Sequence, residues 1–202
     1  MMMSNRYDAL DETALQILMD YSEGEFPLDL GYLCGKLRIK LIPYSKLEAK
    51  TMDELNEIAC NGELSDGFSV ILKGCDNDGY VAYTYYNDSE KEITSKERIN
   101  FTIAHEIKHV IFGETDPSIV EENEANHFAR ILLAPTCILI VGKYTTIEEV
   151  QKKFGLTKTA ALNALETKEN RIARYGNSLF EHEREFIEWY LENIKMTPSD
   201  NE

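Results

Sequence analysis

The sequence predicts an α+β fold: a small antiparallel sheet packed on an H-E-x-x-H helix, followed by a helical carboxy-terminal part. Three observations carry this expectation. Strand-prone stretches cluster between residues 37 and 86. A helical period with two histidines four residues apart runs from about 95 to 113. Helical periodicity then dominates the chain after residue 116.

Leu10, Leu15, Ile17 and Leu18 fall at near-helical spacing, so Tyr7 to Tyr21 reads as an amphipathic helix that Glu23-Gly24-Glu25-Phe26-Pro27 breaks. Pro27 suits the first position of a second helix, which passes through Leu28, Leu30, Leu33 and Cys34 and ends at Gly35. Leu37 to Pro43 alternates apolar and basic residues, as a half-exposed strand does. A short helix is expected near Met52 to Ile58. Phe68 to Leu72 and Tyr80 to Tyr86 read as the strands of a hairpin around the turn formers Gly74 to Gly79.

Thr94-Ser95-Lys96-Glu97 reads as a capping box that starts a helix at Ser95, and Gly113 ends it. Asp116 and Pro117 read as the cap and first residue of the next helix. That helix runs to Leu133, before Pro135, with Ala125, Phe128, Ala129 and Leu132 as its inward stripe. From Thr146 to Leu165 the rhythm is helix, Gly155-centred turn, Thr157 cap, helix, which resembles a helix-turn-helix. Leu179 to Ile194 is a last amphipathic helix.

Composition narrows the functions available. A chain of 202 residues suits one domain, or one with a small appendage, and 43% hydrophobic residues can build its core. A net charge of -15 argues against a general binder of nucleic acid or anionic membranes, because phosphates are repelled. Residues 143–176 are locally basic, with five lysines and two arginines against four glutamates, yet Ala160, Ala161 and Ala164 suit helix packing. Direct DNA binding is therefore not expected. Cys34, Cys60, Cys75 and Cys137 are widely spaced, without C-x-x-C, and read as free buried thiols in a reducing compartment. No leader peptide is visible. The longest apolar run, Ile131 to Val141, is interrupted by Pro135 and Thr136 and is too short to span a bilayer. A cytoplasmic location is expected.

The chemistry centres on His105-Glu106-Ile107-Lys108-His109. Positions four apart on a helix share a face, so both imidazoles can grip one metal ion. Glu106, about 100° further round, can reach a water on that metal. A catalytic zinc takes three protein ligands and one open position. The third is sought on the next helix, where periodicity leaves both Glu121 and Glu122 open, with Glu124 beside the stripe.

Two blocks, Arg98-Ile99-Asn100-Phe101-Thr102-Ile103-Ala104-His105-Glu106-Ile107-Lys108-His109 and Glu122-Asn123-Glu124-Ala125-Asn126-His127-Phe128-Ala129-Arg130-Ile131-Leu132-Leu133-Ala134-Pro135, resemble the ImmA/IrrE family of metallopeptidases. The likeness extends to Phe26-Pro27-Leu28-Asp29, Ile42-Pro43-Tyr44-Ser45, Tyr85-Tyr86-Asn87 and the segment Ile147 to Leu165. Two departures stand out. Lys108 occupies a position where the family often has Gly, and Ala134 one where it often has Met. Lys108 lies on the far side of His105 from Glu106, and little effect on the metal is expected from it.

The resemblance implies a zincin-like metallopeptidase domain, residues 1–142, and a helical region, residues 143–202. It implies Zn²⁺, with Mn²⁺ as the alternative, held by His105, His109 and Glu122, with Asn126 orienting a ligand. Glu106 is the expected general base, and Tyr83, Tyr85, Tyr86 and His182 are candidate donors to the oxyanion. The implied substrate is a protein, a helix-turn-helix repressor encoded nearby, whose cleavage releases its genes. The competing expectation is a non-catalytic antirepressor or antitoxin-like partner with a structural or absent metal. Glu106 favours the enzyme, because a structural site has no use for it.

Overall fold

The computed structural model describes residues 2–48, 51, 66–88 and 95–196. The element order is α1 (Met2–Tyr21), α2 (Leu30–Lys36), β1 (Ile39–Pro43), a 3₁₀ turn (Tyr44–Lys46), β2 (Gly67–Ile71), β3 (Ala82–Tyr86), α3 (Lys96–Phe112), α4 (Ile119–Leu133), α5 (Thr136–Val141), α6 (Ile147–Phe154), α7 (Lys158–Tyr175) and α8 (Glu181–Met196). The fold class is α+β. The helix expected near Met52 to Ile58, together with Thr94 and Cys60, lies outside the described residues. Two compact units emerge, one of residues 30–125 and one of residues 1–29 with 126–202; their boundary falls inside α4.

In the unit of residues 30–125, the sheet is mixed and not antiparallel as expected. Its order is β1-β3-β2, with β3 antiparallel to β2 but parallel to β1. The hairpin is as expected: Leu72 N–H donates to Val81 O at 2.9 Å across its mouth. The parallel pair has a topological cause. Pro43, where β1 ends, and Gly67, where β2 begins, both lie opposite Tyr86. β1 and β2 therefore run in opposite directions on either side of β3, and β3, antiparallel to β2, is parallel to β1.

Along β3, side chains alternate between faces. Ala82 and Thr84 are buried toward α3, which packs on β2 and β3, and Tyr83 and Tyr85 occupy the opposite face. Gly67 is required where β2 meets α3. A Cβ there would come within 2.6 Å of Thr102 Cγ2 and 2.9 Å of the Tyr85 carbonyl.

Helix α3 starts one residue later than the capping box predicts. Ser95 is the cap, extended at φ -70°, and its hydroxyl accepts from Arg98 N–H at 3.2 Å. Arg98 also forks onto Asp66, with bonds of 2.7 to 3.1 Å, tying the first turn of α3 to the approach to β2. The end is as predicted. Gly113 is left-handed, and a reciprocal pair closes the helix: Gly113 N–H to Val110 O at 3.2 Å and Glu114 N–H to His109 O at 2.9 Å.

Other helix starts differ from expectation: α1 begins at Met2, ahead of Tyr7, and α8 at Glu181, after Leu179. Pro27 does not open α2, which begins at Leu30. Asp116 and Pro117 do not cap α4. Ser118 takes that role, its N–H and Oγ both bonded to Glu121 Oε2 at 2.7 Å while Glu121 N–H returns to Ser118 Oγ at 3.4 Å. The sequence Ser118-Ile119-Val120-Glu121 has capping-box spacing, and its reciprocal bonds satisfy the first amides better than a single Asp cap can.

The other unit is helical. Leu10, Ala14, Leu15 and Leu18 of α1 are buried, as are Phe128, Ala129 and Leu132 on the expected stripe of α4, Leu139 of α5, Phe154 of α6 and Phe186 of α8. Each such Leu or Phe contributes roughly 1.5–3 kcal/mol relative to exposure. Helices α6 and α7 carry the caps expected of them: Thr146 with Glu149 in a capping box, Gly155 left-handed, and Thr157 accepting from Ala160 N–H at 3.1 Å. Helix α7 continues past Leu165 to Tyr175. Cys34 and Cys137 are buried free thiols, whereas Cys75 is exposed, contrary to expectation, because it sits in the polar turn after β2. Among the described residues no helix is long and apolar enough to cross a membrane.

Candidate active site

Helical spacing puts His105 and His109 on one face of α3, and their Nε2 atoms lie 3.0 Å apart. Glu122, in the first turn of α4, meets both: its Oε2 is 3.1 Å from His105 Nε2 and its Oε1 is 3.6 Å from His109 Nε2. One ligand atom from each residue falls within 4.8 Å of the other two. Two imidazole nitrogens converging with a carboxylate form a donor set suited to a divalent cation. The choice that periodicity left open is resolved by the cap of α4. Glu121 is engaged by Ser118, and Glu122 is the carboxylate that meets the imidazoles.

Glu106 lies beside this group and is buried. Burial raises its pKa above the ordinary carboxylate range; a hydrogen bond from Ser69 and the proximity of His109 oppose that rise, and the Glu122 charge reinforces it. Ser69 Oγ is itself 2.8 Å from Thr84 Oγ1, so sheet and helix are joined through the carboxylate. Strand β2 is at the sheet edge, and its outer side pairs with no strand among the described residues.

Beneath the imidazoles is a group that sequence reasoning missed. His109 Nδ1 is 2.7 Å from Glu114 Oε2. Lys108 is fully buried, and its ammonium donates to both Glu114 oxygens at 2.6 and 2.7 Å, to the Glu121 carbonyl at 3.3 Å and to Glu124 Oε2 at 3.4 Å. The expectation that Lys108 stands apart from the metal site is thus corrected: the left-handed turn at Gly113 folds Glu114 back between Lys108 and His109. The signal for this was present. A residue two places beyond the last helical residue, after a capping glycine, returns over the final turn.

Of the candidate oxyanion donors, three lie on β3 and one in the helical unit. Tyr83 and Tyr85 lie on the sheet face turned from α3, because strand side chains alternate, and drop out on that ground. Tyr83 Oη donates to Asp76 Oδ2 at 2.5 Å, which pushes the phenol up to about 12. Tyr85 stacks on Phe68 with centroids 5.0 Å apart. Tyr86 shares the face of Thr84 at the end of β3, and burial raises its pKa. His182 belongs to α8 of the helical unit. Asn126 stands one turn beyond Glu122 on α4, half-buried, with its carbonyl accepting from Arg130 Nε at 2.9 Å.

An H-E-x-x-H helix that meets a carboxylate from the following helix, with a buried glutamate alongside, is an arrangement of the kind metallopeptidases use. Comparison with known families agrees. Residues 90–166 match the model of the peptidase M78 family, described as the IrrE N-terminal-like domain, a match consistent with an ImmA/IrrE-family protein. No curated protein and no solved structure matches the chain.

Proposed function

We propose that this protein is a zinc-dependent endopeptidase that cuts a partner helix-turn-helix repressor at a specific bond and so releases the repressor's genes. The observation that carries the reading is the convergence of His105, His109 and Glu122, with Glu106 buried beside them. Residues 1–142 carry the peptidase machinery in this reading, and 143–202 form an appended helical region. Zn²⁺ suits the nitrogen and oxygen donors best, with Mn²⁺ as the alternative.

A divalent cation held there supplies Lewis-acid chemistry, polarising a carbonyl and acidifying a water. The chain's own residues do the rest. An extended segment of substrate adds to the outer side of β2, which pairs with no strand among the described residues, main chain to main chain, and so lays its scissile bond along α3. The Glu106 carboxylate takes the proton of the attacking water and delivers it to the departing amine. Burial favours this role, because raising a carboxylate's pKa makes it a stronger proton acceptor. Asn126 is assigned to orienting a ligand, and Tyr86 is the phenol retained as a donor to the oxyanion.

The test is incubation of the protein with the repressor encoded beside its gene. Wild type cuts it, a chelator stops the cut, and Glu106→Gln keeps the metal but not the cleavage. Tight binding without cleavage by wild-type, metal-loaded protein would replace this reading with a sequestering antirepressor.

A further inference from the structure

We infer that Lys108 is a positioning residue of the metal site, acting through Glu114 on His109. The inference rests on the metallopeptidase reading and deepens it. A lysine with no exposed surface is costly unless its charge is paired and its donors are used. Here the ammonium has four acceptors in reach: both Glu114 oxygens, Glu124 Oε2 and the Glu121 carbonyl. It also stands 5.4 Å from the centroid of the Phe112 ring. Nothing in helix packing asks for a charge at this point, and the position follows directly from its neighbours in α3.

The geometry links it to the chemistry. Glu114 Oε2 is shared, 2.7 Å from Lys108 Nζ and 2.7 Å from His109 Nδ1. A carboxylate on Nδ1 holds the proton there and leaves the Nε2 lone pair facing His105 Nε2 and Glu122. Glu114 follows a turn and retains some contact with solvent, so alone it could swing to water. Lys108 prevents that by chelating both oxygens. Without the ammonium, Glu114 and Glu124 would be two carboxylates crowding one half-buried site, and Glu114 would rotate outward. His109 would then keep its place on the helix but lose its fixed ring orientation.

The experiment uses the full chain, stripped of metal. Zn²⁺ affinity is measured by competition with a chromophoric chelator, ring geometry by the visible spectrum of the Co²⁺ form, and folding by thermal melting of the metal-free protein. Lys108→Met and Glu114→Gln are each expected to weaken Zn²⁺ binding by about 10- to 100-fold and to alter the Co²⁺ spectrum, with cooperative melting retained. The double variant should lose no more than the weaker single variant, because both changes break one linkage.

Affinity and spectrum unchanged in Lys108→Met, or independent, multiplying losses in the double variant, would overturn the inference. If Lys108→Met does not fold, Glu114→Gln decides: weakened Zn²⁺ binding supports the linkage and wild-type binding overturns it. A wild-type protein with no affinity for Zn²⁺ would instead overturn the site itself, which separates the two failures.

Discussion

Helix α3 and the α6–α7 pair are bounded by the same devices, a hydroxyl at the start and a left-handed glycine at the end, yet they bury opposite things. Ser95 and Gly113 frame a helix whose hidden residues include Glu106, Lys108 and His109. Thr146, Gly155 and Thr157 frame helices whose hidden residues are Val150, Phe154, Ala161, Ala164 and Leu165, with Lys168 as their hidden charge, bonded to the Tyr144 carbonyl. Caps decide where a helix begins and ends, whereas the buried face decides whether it serves stability or chemistry. Burying charge is costly, so a helix of the first kind is explained by what its charges do.

The largest expected effect breaks the comparison on the charged side. Glu106→Gln lowers cleavage by about 10²- to 10⁴-fold while the metal content, measured by atomic absorption, stays at wild-type level. Because burial is the main penalty on its charge, the same substitution does not lower the melting temperature of the chelated protein. Next comes the apolar side. Phe154→Ala costs about 3–5 kcal/mol in urea unfolding and leaves Zn²⁺ affinity unchanged. A smaller effect tests the shared devices: Ser95→Ala and Thr157→Ala each cost about 1 kcal/mol, a similar loss from helices with opposite interiors. The mildest concerns reactivity. Burial pushes the Cys34 thiol up to about 12 and the Cys137 thiol higher still, so both stay protonated at pH 8. Mass spectrometry after brief alkylation should find Cys75 labelled and those two unmodified until the protein unfolds.

The sequence made the local parts legible and left the through-space parts hidden. His105, Glu106 and His109 could be read because a helix converts spacing into direction. The ends of α3 are legible within a residue, at Ser95 and Gly113, but α1 begins ahead of Tyr7 and α7 runs well past Leu165, and at α4 the conspicuous Asp116-Pro117 obscures the Ser118 cap. Glu122 could not be separated from Glu121 by periodicity; the resemblance chose it, and the Ser118–Glu121 cap supplies the physical reason. The parallel pairing of β1 with β3 had no local signal, since a period of two marks a strand without naming its neighbour. Ser69 and Glu124 reach α3 only through the fold. The partners of Lys108 are illegible in the sequence, because a helical wheel shows which way a lysine leaves its helix, not what closes over it.

The turn at Gly113 has one more consequence, for where this chain tolerates changes of length. Glu114 is tied back by its amide to His109 and by its carboxylate to Lys108, and Ser118 already belongs to the cap of α4. An insertion or deletion between the helices can therefore be absorbed only across Thr115, Asp116 and Pro117. One residue added between Gly113 and Glu114 would detach the carboxylate from both of its partners while leaving every residue of the H-E-x-x-H motif in place.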